Sequence, residues 1–388
     1  MTKKAKIALL GLLFVGVVSC KKTEKIETEK PTDRIVNTVA GAGNPGYIDG
    51  TGLNTSFNFP QKIITDASGN IYVADQKNNR IRKITPQGAV STLAGSSEQG
   101  STDGQGAAAQ FNQPIGITMD GDGNLYVADA GNNRIRKINP SGIVTTLAGG
   151  SGGFADGTGS DAKFNFPFSV TIDASNNLLV ADIGNNRLRK VTLSGVVTTF
   201  AGNGQSNFVD GPLATATMYN PTSVVIDPSS GNIYVSQDCF IRKITPQGIT
   251  SVLAGNTNQS TGPGYVDGPG MQAKFFYIYQ LALDKKGNIF VADSDNHVIR
   301  KVTPDGFVST YAGKRYPNSG TPVPAPHLDG LASEALFARP SGLTFDKDGN
   351  LLVSEQDGNC IRKISEVPIP DSPEEMARQN WNNPTGWK

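Results

Sequence analysis

The chain has 388 residues, with 45 Gly, 23 Pro, 3 Cys and 2 His, and its formal net charge is +1. Three cysteines cannot build a framework of several disulfides, and two histidines exclude any site that requires three imidazole ligands. Broad electrostatic binding of nucleic acid needs a basic surface, so this nearly neutral chain is expected to have no nucleic-acid partner. The length indicates several domains or one large repeat architecture.

The N-terminal residues have the pattern of a targeting segment. Three lysines within the first six residues precede an uncharged apolar run over 7–18, which is shorter than the ~20 residues that span a membrane. The run ends in Val-Val-Ser-Cys at Cys20, and this sequence resembles the lipobox of bacterial lipoproteins. The resemblance implies that residues 1–19 are a signal peptide and that Cys20 carries a lipid that anchors the chain in a membrane. An uncleaved anchor and an ordinary secretory signal are the alternatives.

The segment over residues 20–33 is rich in charges of both signs and poor in apolar side chains, a composition typical of a flexible tether. Similar charged segments after the cysteine resemble export signals of Bacteroidota lipoproteins. This resemblance favours the bacterial cell envelope, with the outer membrane as the expected membrane. It leaves open whether the protein faces the periplasm or the cell surface.

One sequence unit recurs along most of the remaining chain. The segment NIYVADQKNNRIRKITPQGAVSTLAG starts at Asn70, and later copies start at Asn124, Asn177, Asn232, Asn288 and Asn350. The second arginine of the unit recurs at intervals of 53 to 62 residues, at Arg82, Arg136, Arg189, Arg242, Arg300 and Arg362. This regular recurrence predicts a repeat architecture.

Each unit contains four short segments rich in β-branched and aromatic residues, separated by Gly, Pro, Asn or Asp turns. In the first copy these predicted strands are a at 63–66, b at 71–75, c at 81–84 and d at 90–94. Four-stranded units at this period are typical of β-propeller blades.

The ends of the repeat region predict how the propeller closes. The sixth copy lacks strand d, whereas residues 34–41, ahead of the first copy, match strand d in sequence. If this N-terminal strand completes the last blade, two otherwise exposed edges are paired. The prediction is an all-β, six-bladed propeller over residues 34–365, followed by a C-terminal extension over 366–388.

The motif V-A-D-x-x-N-N-R-I-R-K, at residues 73–83 of the first copy, resembles the NHL repeat. The resemblance covers residues 34–365 and implies a six-bladed NHL-type propeller with four-stranded blades. It does not fix the function, because this family includes lyases, ligand binders and protein-interaction scaffolds.

An acidic residue ends strand b in most copies, and asparagines and arginines follow it. One interpretation of Asp75, Asn78, Arg80 and their copies is a ring of metal or anion sites. However, a group that recurs in every blade is expected to support the blade. We therefore expect the acid and the asparagine to hydrogen-bond the turn between strands b and c, and arginine to brace neighbouring blades.

The copies differ most in the loops of blades 4 to 6. The connections from strand d to the next strand a are enlarged at 256–274 and 314–336, and the b–c turn of blade 4 is shortened. In a propeller these segments lie on one face, and their aromatic and polar side chains suit a ligand site. The predicted ligand-binding residues are Tyr265, Tyr277, Tyr279, Asp293, His297, Arg315, Tyr316 and His327. Free variation of surface loops is the alternative.

The sequence favours a lipid-anchored envelope propeller that binds a glycan, a peptide or a protein partner without catalysis. The first alternative is a metal-dependent lyase or lactonase at the central channel, in which His297 with Asp293 or Asp295 would act as base or metal ligand. The amidating lyases that share the implied fold use several metal-binding histidines, so the two histidines tell against that activity. No catalytic residue, metal or cofactor is assigned. The second alternative is a structural scaffold in a surface assembly.

We expect Cys20→Ala to release the protein from membranes, because the Cys20 thiol is the predicted lipid acceptor. In a detergent phase-partition assay the wild-type protein and the control Cys239→Ala should enter the detergent phase, and Cys20→Ala the aqueous phase. A Cys20→Ala protein that stays membrane-bound would contradict the lipid anchor.

Overall fold

The computed structural model describes residues 32–257, 262–315 and 327–368. Over these residues the chain forms six antiparallel sheets. The four longer strands of each sheet are strands a to d of one repeat, so the sheets are the six blades of a β-propeller. The predicted all-β, six-bladed fold is confirmed. Within the described ranges, no helix is both long enough and apolar enough to cross a membrane.

The strands are given blade by blade, as a short outer strand followed by strands a, b, c and d. Blade 1 contains β2 (Gly50–Thr51), β3 (Pro60–Thr65), β4 (Ile71–Asp75), β5 (Arg80–Ile84) and β6 (Ala89–Ala94). Blade 2 contains β7 (Gly104–Gln105), β8 (Pro114–Met119), β9 (Leu125–Asp129), β10 (Arg134–Ile138) and β11 (Ile143–Gly149). Blade 3 contains β12 (Gly157–Thr158), β13 (Pro167–Ile172), β14 (Asn177–Asp182), β15 (Arg187–Thr192) and β16 (Val196–Ala201).

The second half of the ring has the same order. Blade 4 contains β17 (Gly211–Pro212), β18 (Pro221–Ile226), β19 (Ile233–Gln237), β20 (Phe240–Ile244) and β21 (Ile249–Gly255). Blade 5 contains β22 (Gly268–Pro269), β23 (Ile278–Leu283), β24 (Ile289–Asp293), β25 (Val298–Val302) and β26 (Phe307–Ala312). Blade 6 contains β27 (Gly330–Leu331), β28 (Pro340–Phe345), β29 (Leu351–Glu355), β30 (Cys360–Pro368) and, as its strand d, β1 (Thr32–Ala40).

Short 3-10 turns occur at two recurrent places. Those that follow an outer strand are Gly52–Asn54, Gly106–Ala108, Gly159–Asp161 and Gly270–Gln272. Those between strands b and c are Gln76–Asn78, Ala130–Asn132, Ile183–Asn185 and Ser294–Asn296.

Each blade has five strands instead of the predicted four, because a short outer strand pairs with strand d. In blade 1, Gly50 pairs with Val90, and Thr51 pairs with Ala89, at the outer edge of strand d. These two residues belong to the loop that leads from the preceding blade into strand a. Each loop therefore covers part of the outer edge of the blade that it enters, and fewer backbone groups of that edge are left unpaired.

The predicted closure by the N-terminal strand is confirmed. β1 lies between β30 and the outer strand β27, and Val36 faces Ile364 across the β1–β30 pair. β1 begins at Thr32 and β30 ends at Pro368, so the paired strands extend slightly beyond the predicted limits of 34 and 365. The six strands a contact one another in a closed ring around the central channel.

Apolar side chains join neighbouring blades. In one cluster, Phe111, which precedes strand a of blade 2, packs with Ile81 and Ala94 of blade 1 and with Ile117 of blade 2. Phe111 is fully buried, as are its equivalents Phe57, Phe164, Met218, Phe275 and Phe337. Burying a side chain of this size stabilises the fold by about 1.5–3 kcal/mol, so this position ties each blade to the next.

The recurrent arginine is the largest polar side chain in the core, and it is fully buried in all six blades. In blade 2, Arg136 contacts Asp129 at the end of strand b at 2.8 Å and Asp103 of the incoming loop at 2.7 Å. It also donates to the backbone carbonyls of Gln110 and Thr102. One guanidinium thus fastens strands b and c and the incoming loop through several charge-assisted bonds.

Blades 1, 3, 5 and 6 repeat this arrangement with the acid pairs Asp75 and Asp49, Asp182 and Asp156, Asp293 and Asp267, and Glu355 and Asp329. In blade 4, Gln237 replaces the strand b acid, and Arg242 keeps its ion pair with the acid of the incoming loop, Asp210, at 2.6 Å. The contacts of the strand b acid agree with its predicted structural role, and the buried arginine, Arg82 and its copies, acts mainly within its own blade. The expected bracing of neighbouring blades by Arg80 and its copies stays a prediction.

We expect Arg136→Met to lower the free energy of unfolding by about 3–5 kcal/mol, because it leaves the buried Asp129 carboxylate without its cation. Lys137→Met, one residue further along β10 and partly exposed, is the control and should change it by less than about 0.5 kcal/mol. Urea unfolding followed by circular dichroism measures both values. Equal stability of the two variants would contradict this role of Arg136.

Candidate functional site

The residue that enters strand a has an unusual backbone conformation in every blade. Six non-glycine residues at this position have φ between 47° and 61°, namely Phe59, Gln113, Phe166, Asn220, Tyr277 and Arg339. A left-handed conformation is costly for L-residues, and five of the six precede a proline, which favours extended backbone instead. Because strands a surround the channel, the six residues form a ring at one of its ends, which we call the channel mouth.

Hydrogen bonds between blades hold this ring in place. A second left-handed residue ends each b–c turn, and in five blades its side chain accepts the backbone N–H of the ring residue in the next blade. These bonds are Phe59 to Asn359 (3.0 Å), Gln113 to Asn79 (3.0 Å), Phe166 to Asn133 (2.8 Å), Asn220 to Asn186 (2.9 Å) and Arg339 to His297 (3.2 Å). At the remaining junction, the backbone carbonyl of Asp238 accepts from Ile278 N–H at 2.6 Å.

His297 therefore occupies the position that asparagine takes in four other blades. It is buried and left-handed, with φ of 60°, and its Nδ1 accepts the Arg339 N–H. This contact uses one of its two ring nitrogens. The structure thus gives His297 a positioning function beneath the mouth.

The ring side chains and those two residues further along each strand a, which form the next layer down the channel, divide the mouth into an aromatic and a polar part. The aromatic part consists of Phe166 and Phe168 of blade 3 and Tyr277 and Tyr279 of blade 5. The ring centroids of Phe168 and Tyr279 are 5.1 Å apart, and those of Tyr277 and Tyr279 are 5.7 Å apart. Phe166 lies 6.5 Å from Phe168. These contacts connect blades 3 and 5, on either side of blade 4, into one aromatic surface.

Phe168 and Tyr279 also close the channel below the mouth, since they are only 4% and 9% exposed. Ile115 belongs to the same buried cluster. Burial raises the pKa of the Tyr279 hydroxyl and that of the half-buried Tyr277, so both side chains stay neutral donors near neutral pH.

The polar part of the mouth lies over blades 5, 6 and 1. Arg339 of the ring pairs with Asp295 of the neighbouring b–c turn at 3.0 Å, and both groups are partly exposed. Gln61 lies one layer below, where it is fully buried and its amide donates to Gln76 at 2.8 Å.

A cation adjoins the ring in blade 1. The Lys77 ammonium lies 3.9 Å from the centroid of the Phe59 ring, a typical cation–π contact. The mouth therefore offers aromatic faces, amides, one ion pair and one ammonium group around a closed floor.

Two of the sequence-predicted binding residues, Tyr277 and Tyr279, lie at this mouth. Asp293 lies in the arginine network below it, where its carboxylate accepts from Phe276 N–H (2.8 Å), Asn296 (2.9 Å) and Arg300 (2.9 Å). Burial raises the pKa of Asp293 to about 6, while Arg300 and these donors favour its charged form. Its lone pairs are largely used by the fold, and it is fully buried.

Of the other predicted residues, Tyr265, Arg315 and His327 lie towards the rim of the same face. Tyr265 bonds Thr310 at 2.6 Å and packs against Arg300 and the exposed Arg315. His327 is exposed, and it lines a shallow surface depression with Thr38 and Leu53. Tyr316 and Cys20 lie outside the described residues, as do the signal peptide and nearly all of the tether and the C-terminal extension.

The sequence analysis missed several residues of the mouth, including Arg339, Gln61, Phe166 and Phe168. Their importance comes from their position around the channel and not from an unusual loop length. Alignment of the residue just before strand a in all six copies would have found this ring, because its side chain differs among blades that are otherwise alike.

Across the described residues, no group of three or more His, Cys, Asp or Glu side chains is arranged to hold a metal ion.

Comparison with known proteins identifies the repeat. The family model described as NHL repeat matches residues 57–84 and 111–138, which run from the buried phenylalanine to strand c in blades 1 and 2. The same strands and the same arginine contacts recur around the ring. The chain is thus a six-bladed β-propeller that contains NHL repeats in blades 1 and 2.

Curated relatives are larger than this chain. The chloroplast protein SUPPRESSOR OF QUENCHING 1 of Arabidopsis thaliana is 28% identical over 324 residues, which cover 79% of this chain and 30% of that protein. NHL repeat-containing protein 2 of Gallus gallus is 27% identical over 345 residues, which cover 80% of this chain and 46% of that protein. The chain thus spans less than half the length of these relatives.

Solved structures share the fold. A structural genomics protein of unknown function from Bacteroides thetaiotaomicron aligns with a TM-score of 0.65 and 21% identity, over 87% of this chain and 77% of that chain. An auxiliary nutrient binding protein from Bacteroides ovatus aligns with a TM-score of 0.64 and 16% identity, over 87% of this chain and 78% of that chain. At these identities the alignments show the propeller architecture.

The substitutions His297→Asn and His297→Ala test the positioning function of His297. Asparagine tolerates the left-handed conformation and supplies a side-chain acceptor, so His297→Asn should keep the free energy of unfolding within about 0.5 kcal/mol of wild type. Alanine leaves the Arg339 N–H without this acceptor and is strained at this φ, so His297→Ala should lose about 2–4 kcal/mol. Urea unfolding measures both. If His297→Asn is as unstable as His297→Ala, the imidazole has a different function.

Proposed function

We propose that this protein is a lipid-anchored envelope propeller that binds a glycan at the channel mouth without catalysis. The observation that carries the proposal is the ring of six equivalent backbone positions. All six have the same left-handed conformation, and yet they present Phe, Gln, Phe, Asn, Tyr and Arg. Strained backbone that is kept while the side chain varies is typical of a binding surface on a rigid scaffold.

The distribution of side chains suits a sugar better than an extended peptide. A sugar ring has an apolar face, which packs on aromatic surfaces, and hydroxyl edges, which both donate and accept hydrogen bonds. The aromatic surface of Tyr277, Tyr279 and Phe166 can pack against the apolar face of a sugar. Arg339 and Asp295, which are both partly exposed, can bond the hydroxyl edges, because together they supply donors and acceptors beside that surface.

Ligand binding without catalysis is also supported by a fold neighbour. One protein that shares the propeller is described as an auxiliary nutrient binding protein from Bacteroides ovatus. A propeller that presents a site on one face and is tethered through Cys20 would be suited to hold a nutrient at a membrane. The lipobox-like sequence and the charged tether support the anchor part of the proposal.

Binding to a glycan array, followed by titration of the best glycan, tests the proposal. Tyr277→Ala and Arg339→Met should each weaken binding at least tenfold, which corresponds to about 1.4 kcal/mol, because each removes one part of the mouth. The matched controls are Tyr47→Ala and His327→Ala, since both side chains are exposed near the rim, and they should bind like wild type.

The controls also separate the mouth from the rim. If His327→Ala weakens binding and Tyr277→Ala does not, the site lies at the rim. If no glycan binds, or if folded Tyr277→Ala and Arg339→Met both bind normally, the proposed function is wrong.

A further inference from the structure

The central channel has a second opening at the opposite end of strands a, with a cavity of about 330 Å³. The floor of the mouth, formed by Phe168 and Tyr279, lies between this cavity and the candidate glycan site. Three threonines, one lysine and several apolar side chains line it, among them Lys62, Thr118, Thr171, Thr344, Ile64, Val225 and Ala282. Lys62 is the one charged side chain among the described residues of this lining.

Lys62 is buried, with 6% of its surface exposed. Its ammonium group donates to the carbonyl oxygen of Val170 in blade 3 at 2.9 Å, so the side chain reaches past blade 2. Gly116 is the equivalent residue of blade 2, and a Cβ there would lie 2.9 Å from the Phe168 oxygen. Glycine at this position therefore lets the strands a of blades 2 and 3 approach each other closely, next to the Val170 carbonyl that Lys62 reaches.

The ammonium group lacks a counter-ion in the part of the chain that the structure describes. An ammonium has three donors, and one of them meets Val170. Burying a cation without a negative partner is costly, and proteins usually pair such a charge. A ligand from the open side of the cavity is the available source of a negative charge.

We propose that this cavity binds a small organic carboxylate, whose charged end meets the Lys62 ammonium and the threonine hydroxyls. The apolar wall, which includes Ile64, Val225 and Ala282, would then cover a short hydrocarbon chain. The volume corresponds to roughly ten waters at ~30 Å³ each, so a carboxylate of about ten non-hydrogen atoms or fewer fits. This site is separate from the glycan site and does not depend on it.

The protonation of Lys62 makes the site sensitive to pH. Burial lowers the pKa of Lys62 to about 8, because the low-dielectric surroundings disfavour the charged form. A bound carboxylate needs the ammonium form, so its affinity should fall as the pH rises through about 8. A lowered lysine pKa also means that folding without the ligand becomes more favourable as the pH rises from about 8 to the ordinary value of 10.5.

Calorimetric titration of the full-length protein with sodium butyrate at pH 6.5, in a buffer of constant ionic strength, tests the site. Butyramide is the neutral probe of the same shape. Wild type should bind butyrate and bind butyramide at least tenfold more weakly. Lys62→Met should reduce butyrate binding at least tenfold, whereas Lys83→Met, a control in strand c of the same blade, should bind like wild type.

Two further measurements keep the test decisive. If Lys62→Met does not fold by circular dichroism, the wild-type affinity at pH 6.5 and pH 9.5 replaces it, and a loss at the higher pH is expected. Tyr277→Ala should bind butyrate normally, so a failed glycan test and a failed butyrate test are distinguishable. Absence of butyrate binding to wild type, equal binding of butyramide, or undiminished binding to folded Lys62→Met would overturn the proposal.

Discussion

The fold depends on one buried guanidinium in each blade. In most blades this arginine joins the carboxylate that ends strand b to the carboxylate of the incoming loop, as Arg136 does with Asp129 and Asp103. A charge taken out of water is tolerated only when its partners are complete. The arginine contacts therefore hold the incoming loop, the b–c turn and strand c of a blade in one relative position. Because this is repeated around the ring, these segments form a rigid face, and the mouth lies on that face.

This rigid frame explains how one end of the channel can vary. In five blades a hydrogen bond to the neighbouring blade, such as Gln113 N–H to Asn79, holds the ring residue by its main chain. This bond therefore does not depend on which side chain the ring residue carries. Six side chains can then change independently while the strained backbone is kept. The aromatic part of the mouth and its polar part are accordingly properties of individual blades on a common scaffold.

Most of the fold was predictable from the sequence because its signals are local and repeated. The strand pattern, the recurrent arginine and the spare strand before the first copy defined six blades and their closure. The two-residue outer strands were missed because Gly50 and Thr51 carry no strand pattern. His297 and Asp293 were predicted to bind ligand because they lie in the region of blades 4 to 6 where the copies differ. The Asn-like turn position of His297 and the arginine partner of Asp293 appear only when the blades are compared in space, and ligand binding by these two residues stays a prediction. Arg339 and Gln61 were missed for the same reason, since the ring brings together residues that are far apart in the chain.

Glycan binding at the channel mouth is tested by a crystal structure of the protein with the best array glycan bound. We expect a sugar ring stacked on Tyr277, with its hydroxyl groups bonded to Arg339 and Asp295. We also expect the left-handed ring residues to keep their conformation when the ligand binds. A glycan bound at the rim near His327, or at the opposite end of the channel near Lys62 with the mouth empty, would contradict binding at the mouth.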